Sequence, residues 1–373
     1  MPVTHVGILN LKKQKKSWDS KLLFIIFLLL SLGLIAVADA SAPQAVNVFS
    51  DKYYFVKQQL IWGGAGIALM LIISRINYGL WEKVATPLFW ISTVFLIIVL
   101  VPGLGISALG AKRWVELGFL SFQPSELTKL TLAIYLARVA SKGKGTVSFI
   151  IPLAVLGFLI MLQPDLGTAI VTMGIGMAQI FYSGVNLLHI LGFGVFGALA
   201  TVALVITSSY RRARFLTFLQ QSQDPLGRDY HIRQILLALG SGGIIGAGLG
   251  QSRQKYLFLP EAATDSIFAI IAEEVGFIGS LVLIFIFAAF IYRGIKIAQE
   301  APDKFSQVLA LGITAWIGGQ AILNISAMVA LIPLTGIPLP FFSYGGSSLV
   351  MILAACGILL NVSRFTHGKV RKN

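Results

Sequence analysis

Long apolar runs, each bounded by charged residues or by Gly and Pro, divide this 373-residue chain. A bilayer core about 30 Å thick takes about 20 apolar residues to cross as a helix. Backbone polar groups in lipid must be satisfied locally, so the runs are predicted to be helices rather than strands. They lie near 22–38, 54–73, 84–101, 124–141, 147–163, 167–183, 188–208, 266–292, 305–329 and 347–363. The sequence therefore predicts an all-α, polytopic membrane protein with ten transmembrane helices.

The composition agrees with this class. The chain is 56% hydrophobic and 12% charged, whereas an average soluble domain carries about 25% charged residues. Its single cysteine, Cys356, excludes an intrachain disulfide and argues against a thiolate metal site. The first apolar run, Leu22 to Ala38, is longer than the apolar region of about 7–15 residues in a signal peptide. We therefore expect an uncleaved first span.

The distribution of Lys and Arg predicts the orientation, because short cytoplasmic loops are enriched in them. They concentrate in the N-terminal tail, in 75–83, 138–144 and 293–304, and in the C-terminal tail. Both termini are therefore predicted to be cytoplasmic. The predicted regions are a basic tail (1–21), a ten-helix domain (22–363) with a large extracytoplasmic loop (209–265) between helices 7 and 8, and a second basic tail (364–373). Much of the net charge of +14 is interpreted as orientation charge, and no nucleic-acid partner is predicted.

The long outer loop is itself basic. Its basic residues are Arg211, Arg212, Arg214, Arg228, Arg233, Arg253 and Lys255. Contact with anionic lipid headgroups explains them, and so does a phosphate site, since the guanidinium fork suits phosphate oxygens. The Gly-rich stretch 240–250 does not fit G-x-G-x-x-G, so a nucleotide fingerprint is rejected. A short interfacial helix and a flexible loop on the bundle are favoured.

Three other outer segments carry polar groups. Glu126 and Lys129 share one helix face just after Pro124 and form either a structural ion pair or a cavity-lining pair. Asp165, in "QPDLGTA", caps the next helix or points into the same cavity. The segment 332–348 has too many Pro and Gly residues for a regular span. It is a rigid turn or it lines a site. Its candidate hydrogen-bond donors are Ser343, Tyr344, Ser347 and Ser348.

Four acids occupy the stretch "QKYLFLPEAATDSIFAIIAEEVGFIG", residues 254–279. Asp265 stands where the polar loop becomes an apolar helix. There it is either an acid favoured by the helix dipole or a general base among the outer arginines. Glu273 and Glu274 lie two to three turns deeper and are expected to be paired inward. Glu261 is not assigned a role.

Six motifs in order resemble the SEDS family (shape, elongation, division, sporulation), the RodA/FtsW group of bacterial peptidoglycan polymerases. The motifs are "GAKRW", "FQPSELTKL", "QPDLGTA", "YRRARFLTFL", "LPEAATDSIFAIIAEEVGFIG" and "GIPLPFFSYGGSS". The resemblance covers roughly residues 18–365. It departs from the family at Ala263, where His is usual, and at Ser266, where Phe is usual. Neither change removes the acid.

The resemblance implies a glycosyltransferase that polymerises lipid II at the outer face of the cytoplasmic membrane. It implies that Asp265 matches the carboxylate proposed as the catalytic residue of the family. Residues that match the family's cavity-lining segments are Arg113, Gln123, Glu126, Lys129, Arg211 and Arg212. We add Asp165, Lys255, Ser343, Tyr344 and Ser347 as candidate substrate-binding residues. A divalent cation, Mg²⁺ or Mn²⁺, could help to stabilise the leaving pyrophosphate, although the sequence shows no all-protein metal cage.

The motifs "ADASAP", "IYLAR" and "GLGQSRQKYLFLPEA" are more similar to the division branch, FtsW, and "PLTGIPLPF" is shared with the elongation branch, RodA. Division is therefore the favoured role, with elongation as the alternative. The implied partners are a class B penicillin-binding protein transpeptidase and other membrane proteins of the division complex. A lipid II flippase is the alternative from another class. The absence of a clear internal repeat argues against it.

Overall fold

The computed structural model describes residues 17–103, 105–108, 111–117, 120–185 and 229–366, with isolated residues and short runs between 188 and 212. The helices in these ranges are α1 (Ser20–Phe49), α2 (Tyr54–Arg75), α3 (Gly79–Leu100), α4 (Pro124–Ser141), α5 (Val147–Leu162), α6 (Leu166–Tyr182), α7 (Tyr230–Gly242), α8 (Ile267–Glu300), α9 (Lys304–Met328) and α10 (Gly346–Ser363). Each predicted span coincides with a helix, except that the seventh, 188–208, lies largely outside the described residues.

Six of these helices, α1, α2, α3, α8, α9 and α10, are long and apolar enough to cross a membrane. The helices α5 and α6 are apolar but shorter. The predicted class, a helical multi-pass membrane protein, is confirmed. The predicted number of ten spans stays a prediction, because the described residues do not include the whole chain.

The first helix is longer than predicted. It runs through residue 49 instead of ending near residue 38, and thirty residues at 1.5 Å each extend about 45 Å. Asp19 caps its start by accepting a hydrogen bond of 2.9 Å from the backbone N–H of Leu22. The helix continues after Ala38 through polar and small residues and includes Pro43. That length of about 45 Å is about 15 Å greater than a hydrocarbon core about 30 Å thick.

The helices α4, α9 and α10 form the centre of the bundle, because their side chains are buried on nearly all sides. A helix buried all round belongs to the interior. The helices α1, α3 and α8 instead expose large apolar side chains such as Phe24, Trp90 and Phe285, as expected against lipid. Polar residues on α4 and α9 thus face protein rather than lipid.

A small sheet that the sequence analysis did not predict lies between α3 and α4. Its strands are β1 (Gly105–Ala108), β2 (Ala111–Leu117) and β3 (Leu120–Phe122), paired antiparallel in the order β1-β2-β3. Val115 pairs with Phe122 in one ladder and with Gly105 in the other. A small open sheet is compatible with a segment outside the lipid, because water can bond to the unpaired backbone N–H and C=O groups of its edge strands. The sheet carries Arg113.

The Gly-rich stretch after α7 was predicted as a flexible loop lying on the bundle, and it lies against α8 through backbone hydrogen bonds. Its backbone pairs with a break in α8 at Gly276, which has φ 67° and ψ −167°. Ala247 N–H donates to the Glu273 carbonyl at 3.0 Å, and Phe277 N–H donates to the Gly243 carbonyl at 2.9 Å. The approach is so close that a Cβ at residue 246 would lie 2.1 Å from the Glu274 carbonyl oxygen. The predicted short helix is confirmed as α7, which packs on α8.

At the opposite end of the bundle, polar side chains join the helix termini. The Asp19 carboxylate forms an ion pair with Arg293 of α8, and the Asp19 backbone N–H donates to Ser363 Oγ at 3.1 Å. Tyr78 Oη donates to Asp303, the N-cap of α9, at 2.5 Å. These contacts connect α1, α3, α8, α9 and α10 at one face.

Candidate functional site

Asp265 lies in the turn immediately before α8 and is partly exposed. The N-cap of α8 is Ser266, so Asp265 stands one residue outside the position of a capping acid. Its backbone carbonyl accepts a hydrogen bond of 2.8 Å from Asn324 Nδ2 on α9. Ser266 Oγ is 2.8 Å from His231 Nε2 on α7. The backbone around Asp265 is therefore held from two helices.

The turn that carries Asp265 is closed by two hydrogen bonds to the backbone carbonyl of Glu261. The N–H groups of Thr264 and Ser266 donate to it at 3.1 and 3.0 Å. Glu261 adopts a left-handed conformation with φ 52°. Its carboxylate accepts a hydrogen bond of 2.6 Å from Thr264 Oγ1. Glu261, which the sequence analysis left unassigned, thus shapes this turn.

Ser343 and Tyr344 contact the two residues that precede Asp265. Ser343 Oγ donates to the Thr264 carbonyl at 2.6 Å, and Tyr344 N–H donates to the Ala263 carbonyl at 2.8 Å. The irregular segment 332–348 is therefore packed against the acid-bearing turn. The Tyr344 ring lies edge-on to Phe55, with centroids 4.9 Å apart. Burial raises the pKa of Tyr344, and the nearby Tyr54 adds to the rise.

The ion pair predicted on α4 is present and almost fully buried. Lys129 Nζ is 2.8 Å from Glu126 Oε1, and each residue is 1% exposed. Lys129 also donates to Gln320 Oε1 at 2.8 Å and lies over the Trp316 ring. Gln320 in turn donates to the Pro338 carbonyl at 2.9 Å. The pair thus connects α4 to α9 and to the 332–348 segment.

Asp165 caps α6, as one of the two interpretations predicted. It accepts hydrogen bonds from the backbone N–H and the hydroxyl of Thr168, at 3.1 and 2.9 Å. It also faces Arg113, whose Nε is 3.5 Å from Asp165 Oδ2. Arg113 Nη2 donates to the Pro164 carbonyl at 2.8 Å. The motifs at Arg113 and Asp165 therefore meet, although Arg113 stays partly exposed.

Lys255 has a different environment from the one expected of a substrate-binding residue. It is buried, with Nζ 2.6 Å from Asp39 Oδ1 and 2.9 Å from Glu274 Oε1. Burial acts to lower the pKa of Lys255, but hydrogen bonds to Asp39 and Glu274 outweigh it and raise the pKa above its ordinary value. A buried lysine held between two carboxylates is typical of a structural ion cluster, so we propose a structural role for Lys255 in place of the predicted substrate contact.

Glu273 and Glu274 are paired inward, as predicted. Glu273 accepts hydrogen bonds from Ser252 Oγ at 2.5 Å and from Arg253 N–H at 3.1 Å. Glu274 accepts from Ser252 N–H at 3.1 Å and from Lys255. Together they anchor residues 252–255 to α8.

The remaining predicted residues fall into three situations. Gln123 is the partly buried N-cap of α4, without a side-chain capping bond. Ser347 Oγ donates to the Ser121 carbonyl of β3 at 3.1 Å. Arg212 is exposed, and Arg211 lies outside the described residues.

Two residues in contact with these motifs were not predicted. Gln320 and Asn324 lie one helical turn apart on α9, in "QAILN". An amide pair at i, i+4 within an apolar span was the available signal, since polar groups at membrane depth are costly and usually partnered. Among the described residues, no group of three or more His, Cys, Asp and Glu side chains could hold a metal ion.

The comparisons with known proteins agree on one family. The sequence model of the FtsW/RodA/SpoVE family of cell cycle proteins matches residues 20–368. The chain is 43% identical to stage V sporulation protein E of Bacillus subtilis, over 95% of this chain and 99% of that protein. It is 40% identical to a probable peptidoglycan glycosyltransferase FtsW of Trichlorobacter lovleyi, over 93% of each.

A solved structure of a peptidoglycan synthase complex, concerned with the coordination of polymerisation and crosslinking, contains a similar chain. The TM-score is 0.78 and the identity 29%, over 93% of this chain and 98% of that one. The fold, the order of the motifs and the full-length matches lead to the same conclusion: the chain belongs to the FtsW/RodA/SpoVE family of cell cycle proteins.

Proposed function

We propose that this protein is a division-associated peptidoglycan glycosyltransferase that polymerises lipid II into β-1,4-linked glycan strands. Relatives named as probable peptidoglycan glycosyltransferases align along almost the whole chain. The observation that carries the proposal is the convergence at Asp265. The acid lies on a turn bound directly by Asn324 and by the 343–344 segment, and it remains partly exposed.

In the proposed reaction Asp265 acts as the general base. The acceptor lipid presents the 4-hydroxyl of its N-acetylglucosamine, and Asp265 takes the hydroxyl proton as the oxygen attacks the anomeric carbon of the donor. The C–O bond to undecaprenyl pyrophosphate breaks, and the pyrophosphate leaves with the bonding electrons. One displacement converts the α-linked donor into a β-1,4 bond. A positioned base of this kind contributes about 10²- to 10⁴-fold.

The leaving pyrophosphate gains negative charge and needs preorganised cations. Arg113 is the best placed among the described residues, because its side chain is 27% exposed while it contacts Asp165. Lys129 is buried and neutralised by Glu126, so its effect on a ligand would be indirect. Arg211 and Arg212 are the other proposed cations. No step of this proposal is assigned to a divalent cation.

The sidedness of the protein is part of the proposal. Lys and Arg concentrate near Asp19 and Arg293, at the end of the bundle remote from Asp265. That end is proposed to face the cytoplasm, with both termini, and the 209–265 region to lie outside the cytoplasmic membrane. A class B penicillin-binding protein is the proposed partner. The similar chain in a peptidoglycan synthase complex supports this pairing.

Polymerisation by the purified chain tests the function. The chain is incubated with lipid II in detergent, with and without a class B penicillin-binding protein, and the products are separated on a gel. Asp265→Asn keeps the shape of the side chain and removes the base, so polymer should disappear while the protein still folds. Asp51→Asn is the matched control, since Asp51 is a partly exposed acid whose carboxylate pairs with Lys57 Nζ at 2.7 Å. Full activity of Asp265→Asn would refute the assignment of Asp265 as the base.

A liposome assay tests the alternative function. Lipid II that crosses a liposome membrane without polymer formation would indicate a flippase.

A further inference from the structure

The Asn324 side chain connects Asp265 to the 332–348 segment through two hydrogen bonds. Its Nδ2 donates to the Asp265 carbonyl at 2.8 Å and to the Ile337 carbonyl at 2.7 Å. Asn324 is 1% exposed and belongs to the central helix α9. Both N–H donors of the amide are therefore used to join two irregular segments to a rigid helix.

The bonding pattern fixes the amide orientation. Two carbonyl oxygens face the side chain, so the NH₂ group and not the oxygen must lie between them. A carboxylate at this position would place negative oxygen against both carbonyls. A buried carbonyl that loses its donor is also left unsatisfied, which is costly. The site thus has a specific requirement for a short side chain with two donors.

Gln320, one turn earlier, repeats the arrangement. Its Nε2 donates to the Pro338 carbonyl, and its Oε1 accepts from Lys129. The two amides of α9 therefore hold adjacent carbonyls, at residues 337 and 338, from a single helix face. Asn324 alone of the two also reaches Asp265.

We infer that Asn324 is a positioning residue for the glycosyltransfer reaction. It fixes the position and orientation of the Asp265 turn relative to α9 and to the 332–348 segment, and it does not contact the substrate itself. This inference rests on the proposed function, in which Asp265 is the base. A base must be within hydrogen-bond reach of the proton it takes, and a misplacement of about 1 Å can cost about 100-fold in rate.

Gln179 provides a matched control. It is also fully buried, and its Nε2 donates to two backbone carbonyls, of Ala133 at 2.8 Å and Val308 at 3.1 Å. It lies fourteen residues along α6 from Asp165, which is about 21 Å at 1.5 Å per residue. Loss of either amide removes two similar hydrogen bonds, but only Asn324 contacts the acid-bearing turn.

The experiment compares Asn324→Ala, Asn324→Ser and Gln179→Ala in the full-length protein. Polymerisation of lipid II gives kcat and KM per folded molecule, and hydrogen exchange followed by mass spectrometry gives the protection of peptides covering 256–268. We expect Asn324→Ala to lower kcat on the order of 100-fold with little change in KM, and to raise exchange in 256–268. Asn324→Ser retains a donor and should be intermediate. Gln179→Ala should leave both readouts unchanged.

The outcomes separate the two proposals. Unchanged kcat in the Asn324 variants overturns the positioning role, and so does a loss of kcat without a change in exchange or an equal loss in Gln179→Ala. If Asn324→Ala does not fold, the same criteria apply to Asn324→Ser. Asp265→Asn is measured in parallel. If it is inactive while the Asn324 variants keep full rate, only the positioning inference fails; if it is fully active, the assignment of the base fails as well.

Discussion

Lys129 and Glu126 form an ion pair in the interior of the bundle, with Nζ 2.8 Å from Oε1 and hardly any exposure to solvent. Such a pair is weak evidence for stability, because the desolvation of two charges offsets their attraction. Removing one partner is different, since it leaves a buried charge without compensation. The pair therefore offers a way to separate a structural role from a role in binding.

Lys129→Met should destabilise the protein by about 3–5 kcal/mol, because Glu126 is left as an uncompensated buried charge. The double variant Lys129→Met/Glu126→Leu should recover most of that stability, since an apolar pair of similar volume is often neutral. Thermal unfolding in detergent measures both. Polymerisation by the double variant then decides the role. Recovered activity means that the pair is structural, and a stable but inactive double variant means that its charges serve the substrate.

A substitution at Gly246 should be poorly tolerated. Its φ is 95°, and an added Cβ would lie 2.1 Å from the Glu274 carbonyl oxygen. Gly246→Ala should therefore cost at least about 1–3 kcal/mol through backbone strain alone. Gly319→Ala is the control, because Gly319 is helical with no atom within 4 Å of the added Cβ. Because the added Cβ at Gly319 meets no atom outside its own helical turn, Ala should stabilise the helix slightly. Equal unfolding temperatures for both variants would contradict the pairing of this stretch with α8.

The helices were predictable because lipid imposes one rule on all of them: apolar length with local hydrogen bonding. The prediction for α4 coincides with Pro124–Ser141, where Pro at the first turn marks the start. Sequence-based prediction fails in segments whose structure the lipid does not determine. The end of α1 lies eleven residues past the end of the predicted apolar run, and the hydropathy pattern does not mark it. The small sheet around Arg113 and the break at Gly276 depend on partners distant in sequence.

The candidate site was predictable as a set of motifs and not as a set of contacts. Asp265, Asp165 and the 332–348 segment were each singled out from local chemistry. Lys255 was grouped with them because it lies in the basic loop, but its partner Asp39 is more than 200 residues away. Gln320 and Asn324 are spaced i, i+4 in an apolar helix, which marks them as polar groups that need partners, but this spacing does not identify those partners. Only the fold shows which carbonyls they meet.

The structural role of Lys255 has a direct test. Lys255→Met should destabilise the protein by about 3–5 kcal/mol, since two carboxylates lose their buried counter-ion. Arg253→Met is the control, because Arg253 is an exposed residue of the same loop. The KM for lipid II, measured on the folded fraction, should be unchanged in Lys255→Met. A stable Lys255→Met protein with a raised KM would restore Lys255 to the substrate-binding set.

The contact between Asp19 and Arg293 predicts a pH dependence of stability. Burial acts to raise the pKa of Asp19, but the Arg293 guanidinium and backbone N–H groups outweigh it and hold the pKa below its ordinary value of 3.8. A depressed carboxyl pKa stabilises the folded state above the unfolded-state pKa, and this contribution is lost as the pH falls through the folded-state pKa. Asp19→Asn keeps a good helix N-cap and removes only the charge. Its unfolding temperature should be below that of the wild type at neutral pH. The difference in unfolding temperature should shrink as the pH falls below about 4.

Asp51→Asn should show little difference at any pH, because the Asp51–Lys57 pair is exposed and such pairs contribute little. A gap for Asp19→Asn that stays constant down to acidic pH would show that the charge of Asp19 is not what stabilises this end of the bundle.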